Sequence, residues 1–285
     1  QLLLATGANA FNPVRAKEGA VPCHCLRTFA DALYAIERCR GRRALVVGGG
    51  ILGLEAAVAL RELQAQVTVV ELGERILAMQ ADGEASARLK VDLEALGLNI
   101  QTGKTVQELT ADGALLTDGS FVAADFVLVS IGVRSEVALA KEMGLAVNRG
   151  IAVDEAMRTG VPNVYAAGDC AEYAGRVAGL WNVAAAQGKV AGAAMAGDEA
   201  AYAPPIAATA FETAGIRFFS AGTFAGEHLT RYAREDGFTG ATRRLYFKGG
   251  RLCGAVFYGD VRQSGAALTL IERGAPFADA AALLN

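Results

Sequence analysis

Gly48, Gly50 and Gly53 stand in the spacing G-x-G-x-x-G, and Glu71 follows about 20 residues further on. These residue types suit a dinucleotide. The first glycine permits a tight turn, the second lets a pyrophosphate approach the backbone, and the third lets a helix pack on a strand. Ile51, Leu52 and Gly53 open that helix. Its first N–H groups lack intrahelical acceptors and its end carries partial positive charge, which together favour an anion. A carboxylate at Glu71 can accept hydrogen bonds from a ribose 2′-OH and would repel a 2′-phosphate, so the pattern favours NAD over NADP. On charge alone, Glu71→Arg is expected to weaken NADH and improve NADPH.

The elements that must position these residues can be read from the same stretch. Residues 44–47 form the apolar run of a buried parallel strand. A helix rich in Ala, Leu and Glu is expected over 52–63, and a second strand over 66–71. Upstream, residues 2–5 read as a strand ending at Thr6-Gly7, and Thr28 can cap a helix over 29–40 with Asp31 in its first turn. Downstream, a helix over 84–96 stops at Gly97, and 99–103 is a short strand. An antiparallel pair is expected over 106–109 and 114–116, with Asp112-Gly113 as its turn.

Residues 124–132 read as a buried strand ending on Gly132. Ligands of doubly wound sheets lie beyond the carboxyl ends of strands, so Gly132 reads equally as a place of close nucleotide approach and as an ordinary turn. Residues 164–170 form a strand ending in Gly168-Asp169. That carboxylate reads either as a holder of a sugar or ribityl hydroxyl or as a helix cap. A small-residue helix from Trp181 to Met195 can approach another backbone or a flat ligand closely. Beyond Ala203-Pro204-Pro205 come short strands over 217–222, 242–247 and 251–260, then helices over 264–273 and 277–284, an α+β module.

The 285 residues suit two or three domains. With 53% hydrophobic and 20% charged residues the composition is globular. A net charge of −3 with scattered basic residues suggests no nucleic-acid surface. No apolar run reaches the ~18 residues of a membrane span, and no charged-then-apolar signal pattern is read in these residues. Five cysteines without regular spacing fit a reducing cytoplasm rather than a disulfide framework. Cys23-His24-Cys25 reads as C-x-C in a loop. A metal site there would need further ligands, and His228 is the other histidine. Cys170 reads as a packing residue. The chain opens on Gln1-Leu2-Leu3-Leu4 with no initiator Met, and is expected to be a fragment.

In order, Leu4-Ala5-Thr6-Gly7, Val46-Val47-Gly48-Gly49-Gly50-Ile51-Leu52-Gly53-Leu54-Glu55, Val129-Ser130-Ile131-Gly132-Val133-Arg134 and Tyr165-Ala166-Ala167-Gly168-Asp169-Cys170 resemble the motifs of the pyridine-nucleotide–disulfide oxidoreductase family of flavoproteins. Thr213-Ala214-Gly215-Ile216, Phe219-Ser220-Ala221-Gly222 and Leu252-Cys253-Gly254-Ala255-Val256-Phe257-Tyr258-Gly259-Asp260 are similar to NADH-dependent nitrite reductase large subunits and NADH:rubredoxin-type reductases.

The resemblance implies an α/β chain with two Rossmann-like dinucleotide-binding domains plus a C-terminal α+β domain. The FAD domain is split and incomplete. Residues 1–28 and 154–197 would belong to it, 29–153 to the NAD(P)H domain, and 198–285 to a C-terminal interface domain. Thr6 and Gly7 would lie beside FAD, Gly168 and Asp169 at its ribityl chain, and the helix start from Trp181 to Val183 at the flavin pyrimidine edge. Glu55 would lie near the nicotinamide and Gly132 against the dinucleotide.

The implied activity passes hydride from NADH to FAD, and electrons on to a redox protein or metal-containing acceptor. The implied setting is cytoplasmic, without nucleic acid or membrane, and compatible with a homodimer through the C-terminal domain. The family's redox cysteine pair does not appear in this sequence. Hydride transfer calls for no protein acid or base, so no catalytic residue is assigned, and no metal ligand is assigned either. Two alternatives stay open. One is the reductase module of an assimilatory nitrite reductase, with sirohaem and iron–sulfur segments beyond Asn285. The other is an NAD-binding sensor or scaffold without turnover.

Overall fold

Apolar strands alternating with helices build a parallel sheet around the glycine turn. In a computed structural model, which describes residues 1–284, the strands Cys23–Cys25, Phe126–Val129, Arg43–Val47, Gln66–Glu71 and Asn99–Thr102 lie side by side in that order, all parallel. Such a sheet must be covered on both faces. Val46, Val69 and Leu128 face the helices Phe29–Cys39, Ile51–Glu62 and Gly83–Ala95, where Cys39, Leu54, Leu89 and Leu93 are fully buried. Leu45, Val47, Val70 and Val127 face the other way, onto Leu109, Ala114 and Leu116 of an antiparallel meander, Val106–Thr110, Gly113–Leu116 and Phe121–Ala123. Gly113 belongs to the meander's middle strand, not to its turn.

Local chemistry fixes the first helix. Thr28 Oγ1 accepts from Asp31 N at 3.3 Å, and Asp31 Oδ2 accepts from Thr28 N at 2.6 Å, a reciprocal cap. The expectation of a loop at Cys23-His24-Cys25 is corrected. These residues form the edge strand, in register with Val127 to Val129. Cys23 and Cys25 turn toward the meander face, whereas His24 Nε2 meets Asp31 Oδ1 at 2.7 Å. The His24 bond, then those from Thr28, hold the Asp31 carboxyl well below the usual carboxylate range.

From Ile206 onward the chain packs in the same compact unit as residues 12–131. It forms an antiparallel sheet in the order Ala208–Thr213, Ile216–Gly222, Arg251–Tyr258, Thr242–Lys248, Leu229–Glu235. The first and last of these strands were not expected from sequence. Leu229–Glu235 is almost wholly exposed and lacks apolar alternation. One face, with Phe219, Leu245 and Phe257, packs on the helix Ser264–Glu272. The other, with Phe218, Tyr246 and Tyr258, joins the core of the Gly83–Ala95 helix. Arg244 Nε donates to Asp82 Oδ2 at 2.7 Å, Tyr246 Oη to the same oxygen at 2.5 Å, and Tyr258 Oη to Asp92 Oδ2 at 2.6 Å.

A second compact unit comprises residues 1–11 and 132–205. Leu2–Leu4 pairs with Val164–Ala166 and Ile151–Val153 with Ala171–Tyr173, both parallel, while Ala8–Ala10 pairs antiparallel with Val133–Ser135. The helix Trp181–Ala196 turns Val183, Ala191 and Ala194 inward and ends at Gly197, whose φ is +96°. Buried Glu172 accepts from Asn148 Nδ2, Arg149 N and Gly150 N at 3.1, 2.7 and 3.0 Å. Burial opposes its ionisation, but these bonds outweigh burial and hold it below the usual range.

The two compact units divide the chain at 11/12, 131/132 and 205/206, where the expected domains divide it at 28/29, 153/154 and 197/198. Strand pairing is the reason. Residues 23–25 join the parallel sheet, while 133–135 and 151–153 pair with strands of the other unit. Among the described residues no helix is long and apolar enough to cross a membrane.

Candidate functional site

The glycine turn sits between the carboxyl end of Arg43–Val47 and the start of Ile51–Glu62. Two of its glycines are required by the protein itself. A Cβ on Gly48, whose φ is +117°, would lie 2.1 Å from Ser130 O, and one on Gly53 would lie 2.1 Å from Gly48 O. Gly50 differs. Its φ is −80° and a Cβ there would meet nothing within 4 Å. The open space above Gly50 is where an outside group can approach the backbone. Ile51 and Leu52 occupy the first turn with Gly53, and their N–H groups have no intrahelical acceptor. Glu55, one turn on, is half-buried, and burial raises its carboxyl above the ordinary range.

Glu71 is already engaged. Its Oε2 accepts from Gly49 N at 2.6 Å and its Oε1 from Gly73 N at 2.7 Å. A carboxylate has about four lone-pair sites, so room remains for a ribose hydroxyl. Leu77 N donates to Gly49 O at 2.9 Å and fixes the turn from its other side. Ser130 was not picked out by sequence reasoning. Its only sequence signal is its place directly after the apolar run of residues 126–129.

In the other unit, Gly7, Gly168, Asp169, Trp181, Ala184 and Gly188 line a groove of about 410 Å³. Small residues make its walls, so a flat group can lie against backbone. Gly7 and Gly168 have φ of +72° and +82°. Glu136 N donates to Gly7 O at 2.9 Å, and Thr6 Oγ1 donates to Glu136 O at 2.6 Å. Buried Gln187 accepts from Gly168 N at 2.8 Å and holds the turn to the helix. It too was missed, although it directly follows a run of three alanines.

Asp169 caps no helix, because the next element is the strand Ala171–Tyr173, so the cap reading is set aside. Ser135 Oγ donates to its backbone carbonyl at 2.6 Å, while its carboxylate accepts no hydrogen bond from the described residues. Trp181 is 86% exposed at the helix start. The Val183 side chain packs in the core, leaving only its backbone N–H to offer. Gly132, exposed with φ of +95°, belongs to this unit, and its carbonyl accepts from Phe11 N at 3.1 Å.

Other reactive side chains are accounted for by packing. Cys170 Sγ lies 3.4 Å from Leu4 O and 3.3 Å from Ala167 O in the interior. All five cysteines are free thiols, and burial pushes Cys39 up to about 11. Among the described residues no group of His, Cys, Asp and Glu is arranged to hold a metal ion.

The family model described as pyridine nucleotide-disulphide oxidoreductase matches residues 1–188, and that of the rubredoxin NAD+ reductase C-terminal domain matches 208–275. The chain is 31% identical to a nitrite reductase (NAD(P)H) of Bacillus subtilis over 98% of its own length and 36% of that protein's. It is 28% identical to an NADH-rubredoxin oxidoreductase of Clostridium acetobutylicum, over 78% of this chain and 56% of that one. Its fold matches an NAD-dependent persulfide reductase from A. fulgidus with a TM-score of 0.84 at 28% identity, covering 97% of this chain and 57% of that one.

Proposed function

The chain belongs to the pyridine nucleotide-disulphide oxidoreductase family, and from that membership we propose an NADH-dependent flavoprotein reductase that serves a redox protein or metal-containing acceptor. The observation that carries this reading is Gly50, a glycine that no contact within the protein requires, at the mouth of a strand–turn–helix. When bound, FAD supplies an acceptor for the hydride of NADH and a donor of single electrons.

The chain's own residues bind and orient. The N–H groups of Ile51, Leu52 and Gly53 hold the dinucleotide diphosphate. Glu71, braced by Gly49 and Gly73, accepts from a ribose hydroxyl and disfavours a 2′-phosphate, so NADH is preferred over NADPH. Glu55 stands one turn along the same helix, toward the nicotinamide. Asp169, with its carboxylate unengaged in the groove, fits the ribityl hydroxyls, and Gly7 and Gly168 leave room for the ring beside them. The positive end of the Trp181–Ala196 helix stabilises negative charge beside it. The free thiols suit a reaction without a protein disulfide and a reducing cytoplasm.

The similarity to a nitrite reductase, of which the chain spans 36%, supports a second reading in which this is the reductase module of a longer polypeptide. An anaerobic titration of the FAD-supplemented protein with NADH tests the main reading. The expected result is a visible flavin band that NADH bleaches, with NADPH much less effective. An NADH complex without bleaching points to a sensor or scaffold, and absence of NADH binding overturns the proposal.

A further inference from the structure

Gln187 is only 3% exposed on the helix Trp181–Ala196. A buried amide is costly unless both of its ends are bonded. Here both are. Its Oε1 accepts from Gly168 N at 2.8 Å, and its side chain is bonded to the Tyr202 hydroxyl. Burial pushes that hydroxyl up, and the bond to Gln187 opposes the rise, as an N–H donated to the phenol oxygen does. The amide therefore has one orientation, with its oxygen on Gly168 and its nitrogen on Tyr202.

Tyr202 is itself fixed from several sides. It is buried, its N–H donates to Glu155 O at 2.6 Å, and its ring meets Tyr173 edge-on with centroids 5.1 Å apart. It shares a core with Met157, Ala167, Val183 and Ala191. Ala167 directly precedes Gly168, and Val183 lies in the first turn of the helix. The rest of the turn is bonded as well. Ala171 N donates to Gly168 O at 2.9 Å, and Ser135 Oγ donates to Asp169 O at 2.6 Å. Gly168 N, Gly168 O and Asp169 O are thus all engaged, while the Asp169 carboxylate accepts nothing from the described residues. A free acid on a turn bonded at each of these points is held ready for a ligand.

We propose that Tyr202 and Gln187 are positioning residues for the Asp169 carboxylate, which they set toward the ribityl hydroxyls from behind the groove. This rests on the reading of Asp169 as the ribityl holder. Neither side chain lines the groove, so neither needs to touch the flavin. Loss of the Tyr202 hydroxyl leaves the Gln187 amide nitrogen buried without its acceptor, and the amide gives up its single orientation. Gly168 N then loses its fixed partner. With φ of +82°, this glycine has the backbone freedom to carry the carboxylate out of place.

FAD binding to the whole chain, followed by quenching of flavin fluorescence, tests this. Tyr202→Phe is expected to weaken FAD about five-fold and Gln187→Met about ten-fold. Asp169→Ala is expected to weaken it at least as much as either. In the Asp169→Ala background the further effect of Tyr202→Phe should vanish, because no carboxylate is left to place. A merely structural tyrosine would weaken both proteins equally. Hydrogen exchange of the ligand-free protein supplies a second readout. The Gly168 N–H should exchange about ten-fold faster in Tyr202→Phe, with the helix amides of Ala191 and Ala194 unchanged. Parent-like FAD binding or parent-like Gly168 exchange in Tyr202→Phe, or equal losses with and without Asp169, overturns the positioning role. Asp169 keeps its ribityl contact in that case if Asp169→Ala alone still weakens FAD. Unchanged FAD binding by Asp169→Ala, or no FAD binding by the parent, overturns the ribityl reading and this proposal with it.

Discussion

Gly49 donates its N–H to Glu71 Oε2 at 2.6 Å, so the acid that ends the second strand braces the glycine turn that ends the first. The second carboxylate oxygen does the same for Gly73 at 2.7 Å. The residue proposed to accept from a ribose hydroxyl therefore also shapes the turn. Charge alone argues that Glu71→Arg exchanges NADH for NADPH, but removing the brace acts against both nucleotides. We expect the NADH dissociation constant to rise at least ten-fold, about 1.4 kcal/mol, with a smaller gain or none for NADPH. Glu71→Gln keeps one acceptor and should lose less. Fluorescence titrations with both nucleotides decide, and equal and opposite changes in Glu71→Arg would contradict the bracing role.

Gly50 and Gly53 separate binding from folding. Gly50→Ala puts a methyl group into open space, so its unfolding free energy should stay within about 0.5 kcal/mol of the parent. Its NADH affinity should fall about ten-fold or more as the diphosphate is pushed away. Gly53→Ala places Cβ 2.1 Å from Gly48 O and should cost about 1–3 kcal/mol of stability. Urea melts and NADH titration of both variants check this. Parent-like NADH binding by Gly50→Ala would remove the turn from consideration as the diphosphate site.

Arg244 fastens the C-terminal sheet to the Gly83–Ala95 helix. Its side chain is 4% exposed, its Nε meets Asp82, and its Nη2 has no partner among the described residues. Asp82 also caps the helix through Ala85 N at 2.8 Å and accepts from Tyr246. Arg244→Met should destabilise the protein by about 2–4 kcal/mol, because Asp82 is left buried with a weaker set of donors. A double-mutant cycle with Asp82→Asn should show about 1–3 kcal/mol of coupling in urea unfolding. Strict additivity would mean that the pair does not act together.

Acid should weaken the protein in a defined window. The Arg43 guanidinium and backbone N–H hold Asp125 down to about 2. An unfolded Asp titrates near 3.9. The native carboxylate therefore contributes its stability above about pH 4, and that contribution is lost as pH falls from about 4 toward 2. Glu172, also held low, acts in the same direction. Asp125 is partly exposed, so its share is under about 1 kcal/mol. Melting curves of the parent and Asp125→Asn should differ near neutral pH and converge in acid. A constant gap down to about pH 2 would dismiss the pair as the source.

The parts of this protein legible in its sequence are those set by neighbours along the chain. Gly53 is demanded by the carbonyl of Gly48 within the same short turn, and the Thr28–Asp31 cap closes over three residues. The strand 66–71 announces itself by its β-branched residues from Val67 to Val70. What tertiary structure decided depends on partners far away in sequence. Cys23–Cys25 is a strand because Val127 to Val129 offers it an edge, and nothing in Cys-His-Cys signals this. Leu229–Glu235 is held by its ladder with Thr242–Lys248, since its own side chains bury almost nothing. Periodicity could place Val46 and Val47 on opposite faces, but only packing put helices on one side and a meander on the other. The same holds for function. Spacing picked out Glu71 and Asp169, while the fold tied Glu71 to Gly49 and left the Asp169 carboxylate unengaged in its groove. Turns and caps are short-range balances of sterics and hydrogen bonding, whereas edges, faces and charge clusters exist only once distant segments exclude water together.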